Sequence, residues 1–225
     1  MSVSVSPTLL AAVHGTRSRA GQATTRALIS RVRGVRPGLP AALCFLDVLE
    51  PGLTSRLSSL AGPVVVVPVL LSAGYHVHDD IPVAAADRAT VARHLGPDRV
   101  LSNVLAARLA EAGGDAADTV ALVASPSTRA SAARDLVTAA SDLAAVLRRT
   151  VQPLTIDATL RDSLAALPGR IAIATYLLSE GHFFNTLRAA ASEVGAMAVA
   201  EPLGAHPAIA ELIVARYDEA VTLVR

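Results

Sequence analysis

Short apolar runs of strand length alternate along this chain with longer segments whose apolar positions recur at helical spacing. Each run stops at small or polar residues that can turn the backbone. Thr8–Val13 (TLLAAV) leads through HGTRSRAG into a helix expected over Gln22–Val32. Ala41–Val48 (AALCFLDV) follows, then Glu50-Pro51-Gly52 and a short helix near Leu53–Leu60. Pro63–Leu71 (PVVVVPVLL) is apolar on both faces, the mark of a central parallel strand covered by helices on either side. Val83–His94 reads as a helix, Arg99–Val104 as a short strand, and Ala106–Ala112 as a helix that stops at Gly113-Gly114-Asp115.

Beyond that point the order repeats, with strands at Val120–Ala124, Pro153–Ile156 and Ile171–Leu178 and a helix over Ala130–Arg148. Sequence echoes accompany the repeat: LLSAG at Leu70–Gly74 returns as LLSEG at Leu177–Gly181, and Thr16-Arg17 returns as Thr128-Arg129. The expected fold is α/β, with two tandem similar domains, each a small parallel sheet flanked by helices. They are placed at residues 1–114 and 115–225, about 110 residues each.

Composition narrows the function. A chain that is 52% hydrophobic and 17% charged buries a sizeable core and is not disordered. Its 20 basic side chains against 19 acidic ones leave a net charge of +1 with no basic run, which disfavours nucleic acid and anionic membranes as partners. With 3% aromatics and no Trp, platforms for stacking bases are few. Cys44 is the single cysteine, so no internal disulfide and no C-x-x-C metal pair can form, and a reducing compartment fits. The start MSVSVSPTLL lacks the basic region and long apolar core of a secretory signal, and the longest apolar stretch, Gly62–Ala73, is short and broken by two prolines. A soluble, cytoplasmic protein is expected. No P-loop, G-x-G-x-x-G or G-x-S-x-G motif is present, which removes the usual nucleotide-binding and α/β-hydrolase signatures.

In an open parallel sheet, ligands bind beyond the carboxyl ends of the strands, where loops converge. His14 follows the first strand, Glu50 the second, and His76 the third. Two imidazoles and a carboxylate hold a divalent first-row metal while leaving coordination positions open, which suits catalysis or transfer better than permanent structural binding. Each residue also has a plainer reading. His14 can hydrogen-bond backbone in a tight turn, Glu50 can favour the dipole of the helix that follows, and His78 competes with His76 as the ligand. His94 and His206 sit in ordinary helical surroundings and read as structural. In the second half Ser125-Pro126 stands where His14-Gly15 would be, and although His182 follows Gly181, that half is expected to have lost the constellation.

Four segments together resemble the sirohydrochlorin chelatases, class II tetrapyrrole metal chelatases of the siroheme and cobalamin pathways. They are LLAAVHGTR (Leu9–Arg17), FLDVLEPGL (Phe45–Leu53), VVVPVLLSAGYHVHDDIP ending at Pro82, and EPLGAHPAIAELIVAR near the end of the chain. The third is the most specific, because Pro68, Gly74, His76 and Asp80-Ile81-Pro82 keep the family's order and spacing. Thr16 stands where the family usually has Ser. The resemblance implies a fused two-domain member with one active site, in which His14, His76 and Glu50 are catalytic and the same three residues are the metal ligands. It also implies that Arg17, Thr16, Ser72 and Gly74 receive a carboxylate-bearing tetrapyrrole. No resident cofactor is implied; the divalent metal, Fe²⁺ or Co²⁺ with Ni²⁺ a further candidate, is a substrate. Iron insertion for siroheme is the leading expectation, cobalt insertion for cobalamin its nearest rival, and a non-catalytic metal or tetrapyrrole carrier the alternative of another class. A phosphohistidine phosphatase ranks low, because Val13 stands where an arginine would precede the histidine. A monomer built as a pseudo-dimer is expected, with further association left open.

Overall fold

A computed structural model describes residues 6–223. The MSVSV start, on which part of the signal-peptide reading rests, lies outside the described residues. The chain forms two compact units, one running up to Leu95 and resuming at Pro207, the other comprising Gly96–His206.

In the first unit the strands β1 (Thr8–Val13), β2 (Ala41–Phe45), β3 (Val64–Val69) and β4 (Thr90–Val91) form a parallel sheet in the order β2-β1-β3-β4. Side chains alternate across a strand. Leu10, Ala12, Ala42, Cys44, Val64 and Val66 therefore share one face, where they pack with Leu53 and Leu57 of helix α2 (Leu53–Ser59) and Ile81 of α3 (Ile81–Ala85). Every residue of β3 is buried, as its unbroken apolar run requires. Helix α1 (Arg19–Val35) buries Leu28, Ile29 and Val32, and starts where the Ser18 hydroxyl accepts from the Gly21 N–H. The last helix, α8 (Pro207–Leu223), packs on α1 and on β3. Its Arg216 is 2% exposed and donates to the carbonyls of His94 and Leu95 at 3.2 and 3.1 Å and to Glu219 at 3.0 Å.

The second unit repeats the plan. Its strands β5 (Thr119–Ala124), β6 (Val151–Thr155), β7 (Ile171–Tyr176) and β8 (Ala198–Val199) are parallel in the order β6-β5-β7-β8. Helices α6 (Leu160–Ala165) and α7 (His182–Glu193) cover one face through Leu160, Leu164, Phe184 and Leu187. Helix α4 (Arg99–Glu111) packs on α5 (Ala130–Leu147) and β7.

Three expectations change. Arg99–Val104 is the start of α4 and not a strand: the Asp98 carboxylate accepts from the Val100 N–H at 2.8 Å, and Leu101, Val104, Leu105 and Leu109 form a buried stripe at helical spacing. The helix expected over Val83–His94 ends at Ala85, because the β-branched pair Thr90-Val91 leaves the helix to become the sheet's edge beside Val65 and Val66. The break expected at Gly113-Gly114-Asp115 falls inside the second unit. It separates the two sequence repeats, whereas the compact units exchange their last helices, α4 going with β5–β8 and α8 with β1–β4.

Candidate metal centre

His14 is the first residue after β1. Its Nδ1 lies 3.0 Å from the Gly15 carbonyl and 3.1 Å from Oδ1 of Asp47, and the Gly15 N–H donates to the same Asp47 oxygen at 3.0 Å. A Cβ on Gly15 would stand 2.0 Å from the Asp47 carbonyl oxygen, so only glycine lets the loops after β1 and β2 meet. Both loops run parallel because the strands do: Val13 pairs with Phe45, and the Leu46 N–H donates to the Val13 carbonyl at 2.9 Å. Past Asp47 the chain turns sharply. Val48 has φ +63, in the left-handed region that a β-branched residue rarely enters.

The third contribution comes after the buried strand β3. A single π-type turn, His76–Asp80, closes with the Ile81 N–H on the His76 carbonyl. His76 Nδ1 sits 2.6 Å from Asp80 Oδ2, and its Nε2 is 3.9 Å from Asp47 Oδ2. The two histidine rings meet edge to face, 5.3 Å between centres at 84°. One ligand atom from each of His14, Asp47 and His76 falls within 4.8 Å of the others. The three side chains are 53%, 35% and 21% exposed, open enough for an ion to enter and leave.

Two imidazoles and a carboxylate are thus gathered, but the carboxylate is Asp47. Glu50, the carboxylate expected from the sequence, is exposed and outside the cluster; its Oε2 accepts from the Gly52 N–H at 2.6 Å and shapes the turn into α2. Extending the second strand to Val48 placed Asp47 within it, while the observed end at Phe45 makes Asp47 the first acidic residue beyond a strand end. His78 is exposed on the π-type turn and is not one of the three. Thr16 turns its hydroxyl to the Ser18 N–H and its carbonyl to the Gln22 side chain, Arg17 is exposed, and the Ser72 carbonyl accepts from the Gly74 N–H. Thr16, Ser72 and Gly74 thus make hydrogen bonds within the loops that carry them. Cys44, on β2, is buried in the sheet face covered by α2 and α3, and that burial pushes its thiol up to about 12.

Beside the cluster an open cleft of about 990 Å³ is lined by Asp47, Val48, Glu50, Tyr75, Val83 and Arg88 among others. Tyr75 and Val83 are 56% and 79% exposed, large apolar surfaces facing water at one place. In the second unit Asp157 follows β6 as Asp47 follows β2, yet its carboxylate accepts from Thr155 and Thr159. Those hydrogen bonds hold it below the usual carboxylate range. No imidazole stands where His14 stands, since β5 is followed by Ser125-Pro126.

The family model described as CbiX matches residues 8–112, the span from β1 through α4. Over residues 8–112 this chain is similar to the CbiX family. That agrees with the resemblance to sirohydrochlorin chelatases carried by the sequence motifs. The structure of the sirohydrochlorin chelatase SirB from Bacillus subtilis subspecies spizizenii in complex with cobalt is similar over 97% of this chain and 96% of that one, with a TM-score of 0.80 at 19% identity. CbiX, described as the terminal enzyme for biosynthesis of siroheme in denitrifying bacteria, matches over 95% and 99%, with a TM-score of 0.72 at 22% identity. DR2241 from Deinococcus radiodurans, a multi-domain protein, matches over 96% of this chain but 56% of its own, with a TM-score of 0.73 at 22% identity. At these identities the likeness is one of fold, and it extends the CbiX architecture past residue 112 to the whole described chain. No curated protein sequence matches.

Proposed function

We propose that this protein is a sirohydrochlorin chelatase, which inserts a divalent metal ion into the metal-free macrocycle with release of two pyrrole protons. The observation that carries this reading is the convergence of His14, Asp47 and His76 at three strand ends beside an open cleft. An N₂O donor set binds a partly dehydrated ion without thiolates that would retain it, and so can yield the ion to four macrocycle nitrogens. Metal transfer leaves an imidazole lone pair vacant, and imidazole is the side chain that takes up a proton near neutral pH. Ion and protons thus move in opposite directions: the metal leaves the histidines, and the N–H protons arrive there.

The macrocycle lies in the cleft, its apolar face against Tyr75, Val83 and Val48, a carboxylate toward Arg88. Glu50, on the cleft wall, acts there as an approach group for the ion and not as its ligand. The second unit is a repeat that supports the fold without a second centre. Ferrous insertion for siroheme is the leading form of this reading and cobalt insertion for cobalamin the second. The SirB structures hold cobalt in one case and Fe³⁺ in another and so favour neither. Among the described residues no helix is long and apolar enough to cross a membrane, in keeping with a cytoplasmic enzyme on a small-molecule substrate.

The test is anaerobic incubation of the purified protein with sirohydrochlorin and Fe²⁺, Co²⁺ or Ni²⁺ in turn, following the macrocycle's absorption against a protein-free control. Acceleration with turnover establishes the chelatase, and the order of rates ranks the metals. Stoichiometric binding without turnover replaces it with a carrier.

A further inference from the structure

We infer that Asp80 is a positioning residue for His76: it fixes the imidazole with its proton on Nδ1, so that Nε2 presents its lone pair to the metal ion. The inference rests on the reading of His14, Asp47 and His76 as the site that takes the ion.

The geometry is direct. His76 Nδ1 and Asp80 Oδ2 are 2.6 Å apart, the length of a strong charge-assisted hydrogen bond. A carboxylate oxygen only accepts, so the proton on this bond belongs to Nδ1. A neutral imidazole carries one N–H, which leaves Nε2 as the acceptor. Nε2 is the nitrogen that faces Asp47, 3.9 Å from Oδ2. That gap is too long for a hydrogen bond and close to the reach of two metal–ligand bonds of about 2.0–2.2 Å each.

The backbone of Asp80 is helical (φ −68, ψ −48), continuing the turn straight into α3, and its side chain makes no hydrogen bond to the helix backbone there. Its carboxylate is directed back to His76 instead. The widened turn His76–Asp80, closed from the Ile81 N–H to the His76 carbonyl, brings the two side chains together four residues apart. Asp80 also lines the cleft. The bond that orients the ring therefore involves one imidazole nitrogen and leaves the other for the ion.

The test uses the full chain, ¹⁵N-labelled, with Co²⁺ alone as the probe and no macrocycle. In mildly alkaline buffer, long-range ¹H–¹⁵N spectra of the wild type are expected to place the His76 proton on Nδ1; finding it on Nε2 overturns the inference at once. Asp80→Ala is expected to admit the Nε2–H tautomer and to weaken Co²⁺ binding about 10- to 100-fold, the range seen when such outer partners of metal-ligating histidines are removed. Asp80→Glu is expected to restore part of both. Weaker binding with the tautomer unchanged shows a merely structural role and overturns the inference, as does a switched tautomer with unchanged affinity. If Asp80→Ala does not fold, Asp80→Asn carries the same pair of measurements. Because no macrocycle is present, a protein that binds Co²⁺ through His76 and never inserts it defeats the chelatase reading while leaving this inference standing. An Nε2–H wild type does the reverse.

Discussion

Asp47 and Glu50 stand in one short loop and have different surroundings. Asp47 touches His14, Gly15 and His76, whereas Glu50 accepts one backbone N–H of its own turn. Asp47→Asn keeps an acceptor for the Gly15 N–H and loses the charge; it is expected to weaken Co²⁺ binding by about 100-fold, at least as much as losing an outer partner costs. Glu50→Gln is expected to change it by no more than about twofold, as exposed substitutions do. Isothermal titration with Co²⁺ separates the two, and the opposite order would return Glu50 to the ligand set. Gly15 is as demanding as any ligand. A methyl group there must push the Asp47 carbonyl away from 2.0 Å, so Gly15→Ala is expected to lower stability by about 2–3 kcal/mol in urea melts and to impair Co²⁺ binding with it.

Also at this scale, Cys44 reports the integrity of β2. Burial raises its thiol from an ordinary 9.0 to about 12, so the native protein is expected to resist iodoacetamide at pH 8 and to react only on unfolding. The folded state holds the thiol proton more tightly than the unfolded state, so this contribution is complete below pH 9 and is lost as pH rises toward 12. Alkaline urea melts of wild type and Cys44→Ala check it: the difference between them narrows or inverts in favour of Ala as pH climbs through that window.

Among the elements, α8 packs on α1 and β3 and is tied by one buried guanidinium to the chain just past β4. Arg216 supplies the donors for the carbonyls of His94 and Leu95, the last residues before the chain leaves the first unit. Arg216→Met removes those donors and leaves the Leu95 carbonyl buried, and the His94 carbonyl half-buried, without them. A loss of about 1–3 kcal/mol is expected, read as a lowered thermal midpoint, since a carbonyl left buried without its donor costs its desolvation. The elements most visible from the sequence were those whose pattern is local. The all-buried β3 announced itself as an apolar run, and α1 by its stripe of Leu28, Ile29 and Val32. Those misread are the ones a neighbour decides. Thr90-Val91 becomes a strand because β3 offers it an edge, and Arg99–Val104 becomes a helix because Asp98 caps it and α5 and β7 receive its apolar side.

For the whole molecule, the exchange of last helices means that neither sequence repeat contains its own compact unit. A chain ending at His206 keeps all of Gly96–His206 and strips α8 from the first sheet. It is expected to lose Co²⁺ binding together with the cooperative unfolding of the first unit, while the second still melts as a unit. Differential scanning calorimetry of the truncated and full chains distinguishes this from a single shared transition.

The α/β alternation, the duplicated order of elements, the parallel sheets and the two strand-end histidines were all legible in the sequence, because period and turn chemistry act over a few residues. So was the family, through motifs that are themselves short and contiguous. The carboxylate that joins His14 and His76, the partner that orients His76, and the sheet each terminal helix covers were decided only by the tertiary structure. Those depend on which distant segments lie side by side: the register of β1 on β2, the turn at Val48, and the edge of β3 that takes up β4. An amphipathic pattern states that a surface is buried without naming what buries it, and an acidic residue in a loop states a charge without naming what it meets.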